Sequence, residues 1–480
     1  MEAWLIPLLL FTASMVVASL YGLSMYFKFF YWLLRRRKVK QAKVKPLDNP
    51  PMVSVLIPVY NEGELVRRTL DACLKMNYPK DRMEIVVVDD STDETVDILK
   101  EYEAKHPSLV RVIRRESNEG RKVGALNYGL QFCKGKYILV LDADHAPEED
   151  LLLKAIPVFR KDEKIAFVQS VWRWANASKN KVTKSFSTIL EAHFDIDYYA
   201  RSQQNSFPFF MGTAGVVKKE VVEELNGWDP EVLTEDVDFA CRSYLRGYRG
   251  VLLYDSESYT LAPETIESLR EQQYRWGKGQ IQCLLKWWRK IVASKNMTLK
   301  QKVDGLLFMS YYLVVGLLFL TTFFGAVFFL FLADEVALSR VFTSSTWLTA
   351  FSLILVSCLG AILVYCAEAL KKYKSFISLT NVAFAAVLGC GVSLRVFKGV
   401  MEALLGVKTP FIKTSRNTCS KLNLSLNTRR KTELVLGILG TIASLKGIAI
   451  SFQLSLVPAA LFSVFVLLYS IAWILAAVIK

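Results

Sequence analysis

Apolar residues in this chain are gathered at its two ends, at 4–34 and through most of 304–479, around a middle stretch of ordinary globular composition. Apolar runs of about 20 residues suffice to cross a bilayer as a helix. The chain therefore reads as a membrane helix, a water-facing domain and a membrane bundle. The first apolar segment has no basic leader and is too long for the apolar part of a signal peptide, so a permanent span is expected. RRRKVKQAKVK at 35–45 follows it. Such a basic run marks the cytoplasmic side, which puts the N-terminus outside and the middle domain inside.

Spans at 304–332 and 347–367 would return the chain to the cytoplasm at Lys371, Lys372 and Lys374. Were 376–397 to cross next, the segment 398–431 would lie outside with eight Lys and Arg, against the usual charge bias. An interfacial or re-entrant helix is expected over 376–405 instead. A closing hairpin at 433–452 and 455–479 then gives five crossings, with six as the alternative. The expected divisions are 1–45, a cytosolic domain at 46–300, and a membrane region at 301–480.

The net charge of +15 comes with basic residues clustered beside apolar segments, so it reads as a topology signal and no nucleic acid is expected. The eight cysteines form no Cys-x-x-Cys pair, and free thiols in a reducing compartment are expected. The sequence sets no oligomeric state.

Between the membrane segments, short β-branched runs alternate with helical spacing: MVSVLIPVY, ELVRRTLDACLKM, EIVVVDDS, TVDILKEYEAKH, then VRVIRR, YILVLDAD and IAFVQS. This alternation predicts an α/β fold with a mostly parallel sheet. Ligands of such sheets sit at the carboxyl ends of the strands. Tyr60, Asn61 and Glu62, then Asp89 and Asp90, then Asp142 and Asp144 all fall there. No Gly-x-Gly-x-x-Gly follows the first strand and no P-loop occurs, which argues against a dinucleotide or P-loop nucleotide.

Five elements carry chemistry. Asp142-Ala143-Asp144-His145 ends a buried strand, and carboxylates with an imidazole suit Mn²⁺ or Mg²⁺, although strand-end turns also carry paired carboxylates without a metal. Asp90 can accept a hydrogen bond from a base N–H, or simply form a turn. Lys122 opens a helical run and can face phosphate, or lie on the surface. Asp236 in Thr234-Glu235-Asp236 can serve as a general base, or the element can cap the following helix. Finally, Gln272, Arg275 and Trp276 share one helix face. Arg can grip a diphosphate and an indole can stack on a sugar. An interfacial helix also favours Trp and Arg, a reading that suits Trp287 and Trp288 better.

Together VDDS, DADH, TED and QQYRW resemble the processive, membrane-bound, inverting family-2 glycosyltransferases. Within these the cellulose synthase-like glucan and mannan synthases are the nearest likeness. FVQSVWRWAN, FMGTAGVVKKE and NGWDP add to it, and the likeness spans roughly 50–300. The resemblance implies a GT-A-type nucleotide-sugar domain beneath an α-helical transmembrane bundle, in a plasma or Golgi-type membrane.

It further implies that Tyr60, Glu62, Asp90, Lys122, Asp142, Gln272 and Arg275 bind the nucleotide-sugar and that Asp144 and His145 hold the metal. Asp236, with Glu235 beside it, would be catalytic. Phe210, Met211, Gly212 and Trp276 would border the glycan acceptor, Met211 standing where family members carry cysteine. TPFIKTSRN at 409–417 looks like the family's gating loop. UDP-glucose is the default donor and GDP-mannose its rival, for a β-glycan exported across the bilayer. A polyprenyl-phosphate- or diacylglycerol-linked product is the alternative, and a non-enzymatic transporter or scaffold a third reading.

Overall fold

The structure is a computed structural model and describes residues 5–35, 47–332, 335–343, 345–409 and 423–479. A long helix, α1 (Leu5–Arg35), precedes the central domain. The domain starts with β1 (Val53–Val59), buried along nearly its whole length because helices cover both faces of the sheet. Crossovers α2 (Leu65–Lys75), α3 (Thr95–Lys105) and α4 (Arg121–Leu130) link it to β2 (Met83–Asp89), β3 (Val110–Arg114) and β4 (Tyr137–Val140), all paired in parallel.

Beyond β4 the chain continues through β5 (Ala146–Pro147), α5 (Leu151–Lys161), β6 (Ile165–Trp174) and α6 (Lys181–Ala192). A π-helical turn, His193–Tyr198, leads into α7 (Tyr199–Gln203), β7 (Gly215–Lys218), α8 (Lys219–Glu224), α9 (Glu235–Leu245) and β8 (Arg249–Thr260). The strand order is β3-β2-β1-β4-β7-β6-β8-β5. The sheet is mostly parallel, as expected, with two reversed strands: β7 runs antiparallel to both β4 and β6, and β5 antiparallel to β8. The carboxyl ends of β1, β2 and β4 all open to the same side, at the place where strand direction changes.

Next come α10 (Ile266–Ala293), α11 (Leu299–Val327), α12 (Glu335–Phe342), α13 (Ser345–Tyr373), α14 (Leu379–Leu404), α15 (Asn423–Gln453) and α16 (Val457–Val478). Among the described residues four helices are long and apolar enough to cross a membrane: Leu299–Phe331, Phe376–Leu404, Arg430–Gln453 and Val457–Val478. The basic run after Arg35 and nearly all of the gating-like stretch at 409–417 lie outside the described residues.

Helix α1 meets the domain through buried charge. Lys28 of α1 lies 2.6 Å from Asp197 of the π-helical turn, and Arg201 of α7 lies 2.7 Å from Asp304 of α11. Asp197 also takes Arg201 Nε at 3.1 Å and His193 Nδ1 at 2.9 Å, and Ser206 donates to Asp304. Removing one partner of a buried ion cluster strands the others away from water. Asp197→Ala is accordingly expected to destabilise the protein by about 3–5 kcal/mol. The melting temperature of the detergent-solubilised protein would show it, and an unchanged melt would mean that the cluster adds nothing to the docking of α1.

Candidate active site

A cavity of about 760 Å³ opens over the carboxyl ends of β1, β2 and β4, with α9 and α10 as its far wall. The β4 strand stops at Val140, and the next residues turn tightly, the backbone N–H of His145 donating to the carbonyl of Asp142 at 3.0 Å. That turn brings ligand atoms of Asp142, Asp144 and His145 within 4.8 Å of one another. Neighbours hold them: Thr213 Oγ1 accepts from the Asp142 N–H at 2.7 Å, and Thr260 donates to Asp144 at 3.0 Å. Thr69 donates to the Ala143 carbonyl, and the His145 ring meets Trp172 edge-on. Two carboxylates and an imidazole converging in a pocket fit a divalent ion of the Mn²⁺ or Mg²⁺ type.

Lys122 sits between this triad and the start of α9 and is no surface lysine. Its ammonium lies 2.8 Å from Asp142 and 3.2 Å from Glu235, and donates to the Gly212 carbonyl at 3.1 Å. Burial alone would lower its pKa, but Asp142 and Glu235 outweigh that and hold it above the ordinary lysine value. Asp236 is displaced the other way. Burial first, then the Glu235 charge, push its carboxyl up to about 7, against the opposing pull of Lys122. Its Oδ1 still accepts from the Val237 N–H at 2.8 Å.

Gly212 lies against this carboxylate. It adopts φ +77, and a Cβ there would stand 3.1 Å from Asp236 Oδ2. Gly212→Ala both strains the turn and displaces the carboxylate. A displacement of that kind is expected to lower kcat by about 100-fold. Steady-state rates on folded variant check this, and full activity would show that Asp236 tolerates the shift.

Most residues singled out from the sequence meet in this cavity. Tyr60, Glu62 and Asp90 line the end near β1 and β2; Asp142, Asp144, His145 and Lys122 line the middle. Glu235, Asp236 and Met211 face them, and Gln272, Arg275 and Trp276 enter from α10. Phe210 does not border the cavity. Its ring is fully buried between Phe167 and Phe239, with centroids 5.8 Å from each, because the chain enters the turn from the core and only Met211 points outward. Gly212 touches the site through its backbone and the Asp236 contact.

Several residues were not foreseen. Trp172 and Trp174, at the end of β6, line the cavity. Their spacing of two along a strand put both on one face, which was the available signal. Arg115 binds Asp90 from behind, its Nε donating at 2.8 Å to Oδ1 and its Nη2 pairing with Oδ2. The far half of α10 grips the α9 start: Trp287 donates to Asp238 at 2.7 Å, Gln282 accepts from the Leu233 N–H, and Lys286 pairs with Asp229. At Gly279 a Cβ would come within 2.5 Å of Thr234, so the helix can approach this closely only with glycine there. One helix thereby presents Gln272, Arg275 and Trp276 while holding the loop that carries Glu235 and Asp236.

Comparison with known proteins bears on the fold. Residues 54–225 match the family described as glycosyl transferase family 2. The chain is 33% identical over 276 residues to a probable glucomannan 4-beta-mannosyltransferase 14 of Arabidopsis thaliana, a match covering 55% of this chain and 52% of the relative. It is 32% identical over 287 residues to glucomannan 4-beta-mannosyltransferase 1 of Oryza sativa subsp. japonica, covering 56% and 55%. The chain thus spans about half the length of the curated relatives it matches. Among solved structures, the mannosyltransferase PcManGT from Pyrobaculum calidifontis, in complex with GDP-Man and Mn²⁺, superposes with a TM-score of 0.52 at 20% identity. The match covers 83% of this chain and 100% of that one. The fold is therefore GT-A-like, as expected, with apolar helices added, and residues 54–225 carry a glycosyl transferase family 2 domain.

Proposed function

We propose that this protein is an inverting glycosyltransferase that moves mannose from a nucleoside diphosphate donor, GDP-mannose, to a growing β-linked glycan. The observation that carries this reading is the single cleft in which the Asp142–Asp144–His145 triad, Lys122 and the buried Asp236 face one another. The relatives in Arabidopsis and rice are named for mannosyl transfer, which moves the donor away from the UDP-glucose expected by default.

Asp144 and His145, with Asp142 beside them, would hold a divalent ion, which supplies charge compensation for a diphosphate leaving group. Lys122 adds a fixed cation next to the same oxygens, and Arg275 a second from α10. Asp236 takes the proton of the acceptor hydroxyl as that oxygen attacks the anomeric carbon. One displacement inverts that carbon, so an α-linked donor gives a β-linkage. Trp276, Trp172 and Trp174 offer aromatic faces to a sugar ring.

The reading includes five crossings with the cleft on the cytosolic side. What supports an uncrossed α14 is that both of its ends bond to the central domain. Lys181 of α6 donates to Thr380 and Asn381 at 3.0 Å each, and Lys278 of α10 lies 2.9 Å from Glu402. A helix through the bilayer would leave its two ends on opposite sides.

The test is incorporation from radiolabelled GDP-mannose and UDP-glucose by the purified protein with Mn²⁺ or Mg²⁺, followed by β-mannanase or β-glucanase digestion. High-molecular-weight product from GDP-mannose that β-mannanase degrades is the expected result. Product from UDP-glucose alone would overturn the donor assignment, and short lipid-extractable product would replace the polymer with a glycolipid.

A further inference from the structure

We infer that Arg115 is a positioning residue for donor recognition, one guanidinium fixing both walls of the base end of the cleft. The inference rests on the proposed function, since it assigns that end to the nucleotide base. One wall is Asp90, following β2. Arg115 binds its carboxylate through Nε at 2.8 Å and through Nη2. The opposite wall is the turn at 118–121, from which Asn118 and Arg121 face the cavity. The same guanidinium donates to the Glu119 carbonyl at 2.8 Å and to the Arg121 carbonyl at 3.1 Å.

This turn needs holding. Gly120 and Arg121 adopt φ +66 and +50 in succession, and an arginine enters the left-handed region only at a cost. Arg115 bonds to the carbonyls on either side of Gly120 and is itself almost fully buried. Gly124 provides the clearance for this contact: a Cβ there would stand 2.0 Å from the Glu119 carbonyl oxygen and 2.6 Å from Arg115 Nη1, the two atoms that bond to each other. A planar fork that reaches a carboxylate and two carbonyls at once is a geometry that arginine has and lysine lacks.

Asp90 engaged in this way keeps acceptor capacity, because a carboxylate offers about four lone-pair directions and Arg115 takes two. Asp90 itself lines the cavity, where an N–H of a base can meet the remaining ones. Arg115 itself does not line the cavity. Its effect on the donor passes through Asp90 and through the position of Asn118 and Arg121.

The experiment uses the full chain in detergent with Mn²⁺ and measures binding of GDP, UDP and inorganic pyrophosphate, alongside kinetics with GDP-mannose. For Arg115→Lys and Gly124→Ala, the Kd for GDP and the KM for GDP-mannose are each expected to rise about 10-fold, with kcat within about twofold. Pyrophosphate, which has no base, is expected to bind as it does to wild type. Unchanged GDP binding in folded Arg115→Lys overturns the inference alone. So does a matching loss of pyrophosphate binding, or a fall in kcat at constant KM, either of which would mean a general structural role. Wild-type protein that binds neither GDP nor UDP overturns the donor reading and this inference together.

Discussion

Asp236→Asn is expected to lower kcat by about 10³- to 10⁴-fold with GDP binding intact, the loss that follows removal of a positioned general base. The substitution keeps the size and polarity of the side chain, and its neighbours Gly212 and Val237 lose no room. The pH dependence supplies an independent check. Burial and then the Glu235 charge raise this carboxyl to about 7, and the base works deprotonated. In wild type, kcat/KM should therefore rise with pH through about 7 and level off above it, and the variant should lack that limb.

Stability follows the opposite sign. A carboxyl whose folded pKa is raised contributes stability below its unfolded pKa and loses it as pH climbs through the folded value. Asp236→Asn should then melt at or above the wild-type temperature at pH 8. A variant that keeps wild-type turnover would remove Asp236 as the base, whatever its melting behaviour.

Asp144→Asn is expected to abolish the gain in GDP affinity that Mn²⁺ gives the wild type, and to lower transfer by about 10³-fold. Asp144 is the cleaner choice of the two carboxylates, because Asp142 also pairs with Lys122 and its loss would disturb that lysine. The Thr260 hydroxyl that donates to Asp144 can equally donate to the amide oxygen of asparagine, so the fold should survive. Nucleotide titrations with and without Mn²⁺ decide the matter. An undiminished Mn²⁺-dependent gain in the variant would move the ion away from Asp144.

Much of the site could be read along the chain because its chemistry lies in short contiguous motifs. Asp142, Asp144 and His145 belong to one turn, Glu235 and Asp236 to one helix start, and Gln272, Arg275 and Trp276 to one helical face. Local geometry dictates how such neighbours are arranged. The apolar segments were equally legible, since bilayer thickness alone sets their length.

Other features depend on which distant segments meet. Asp90 finds Arg115 because β2 and β3 pair in parallel with Asp89 opposite Arg114, and a different register would have left both side chains elsewhere. Phe210 adjoins the Met211–Gly212 turn in sequence but packs into the core, against the aromatic faces of Phe167 and Phe239. Lys122 could have been a surface lysine; two carboxylates from separate elements make it the centre of the cleft. The sequence by itself thus determined the class of chemistry and the segments that carry it, through residue type and local spacing. Only the tertiary structure decided which charges neutralise which, because register and helix packing bring together groups that no local rule relates.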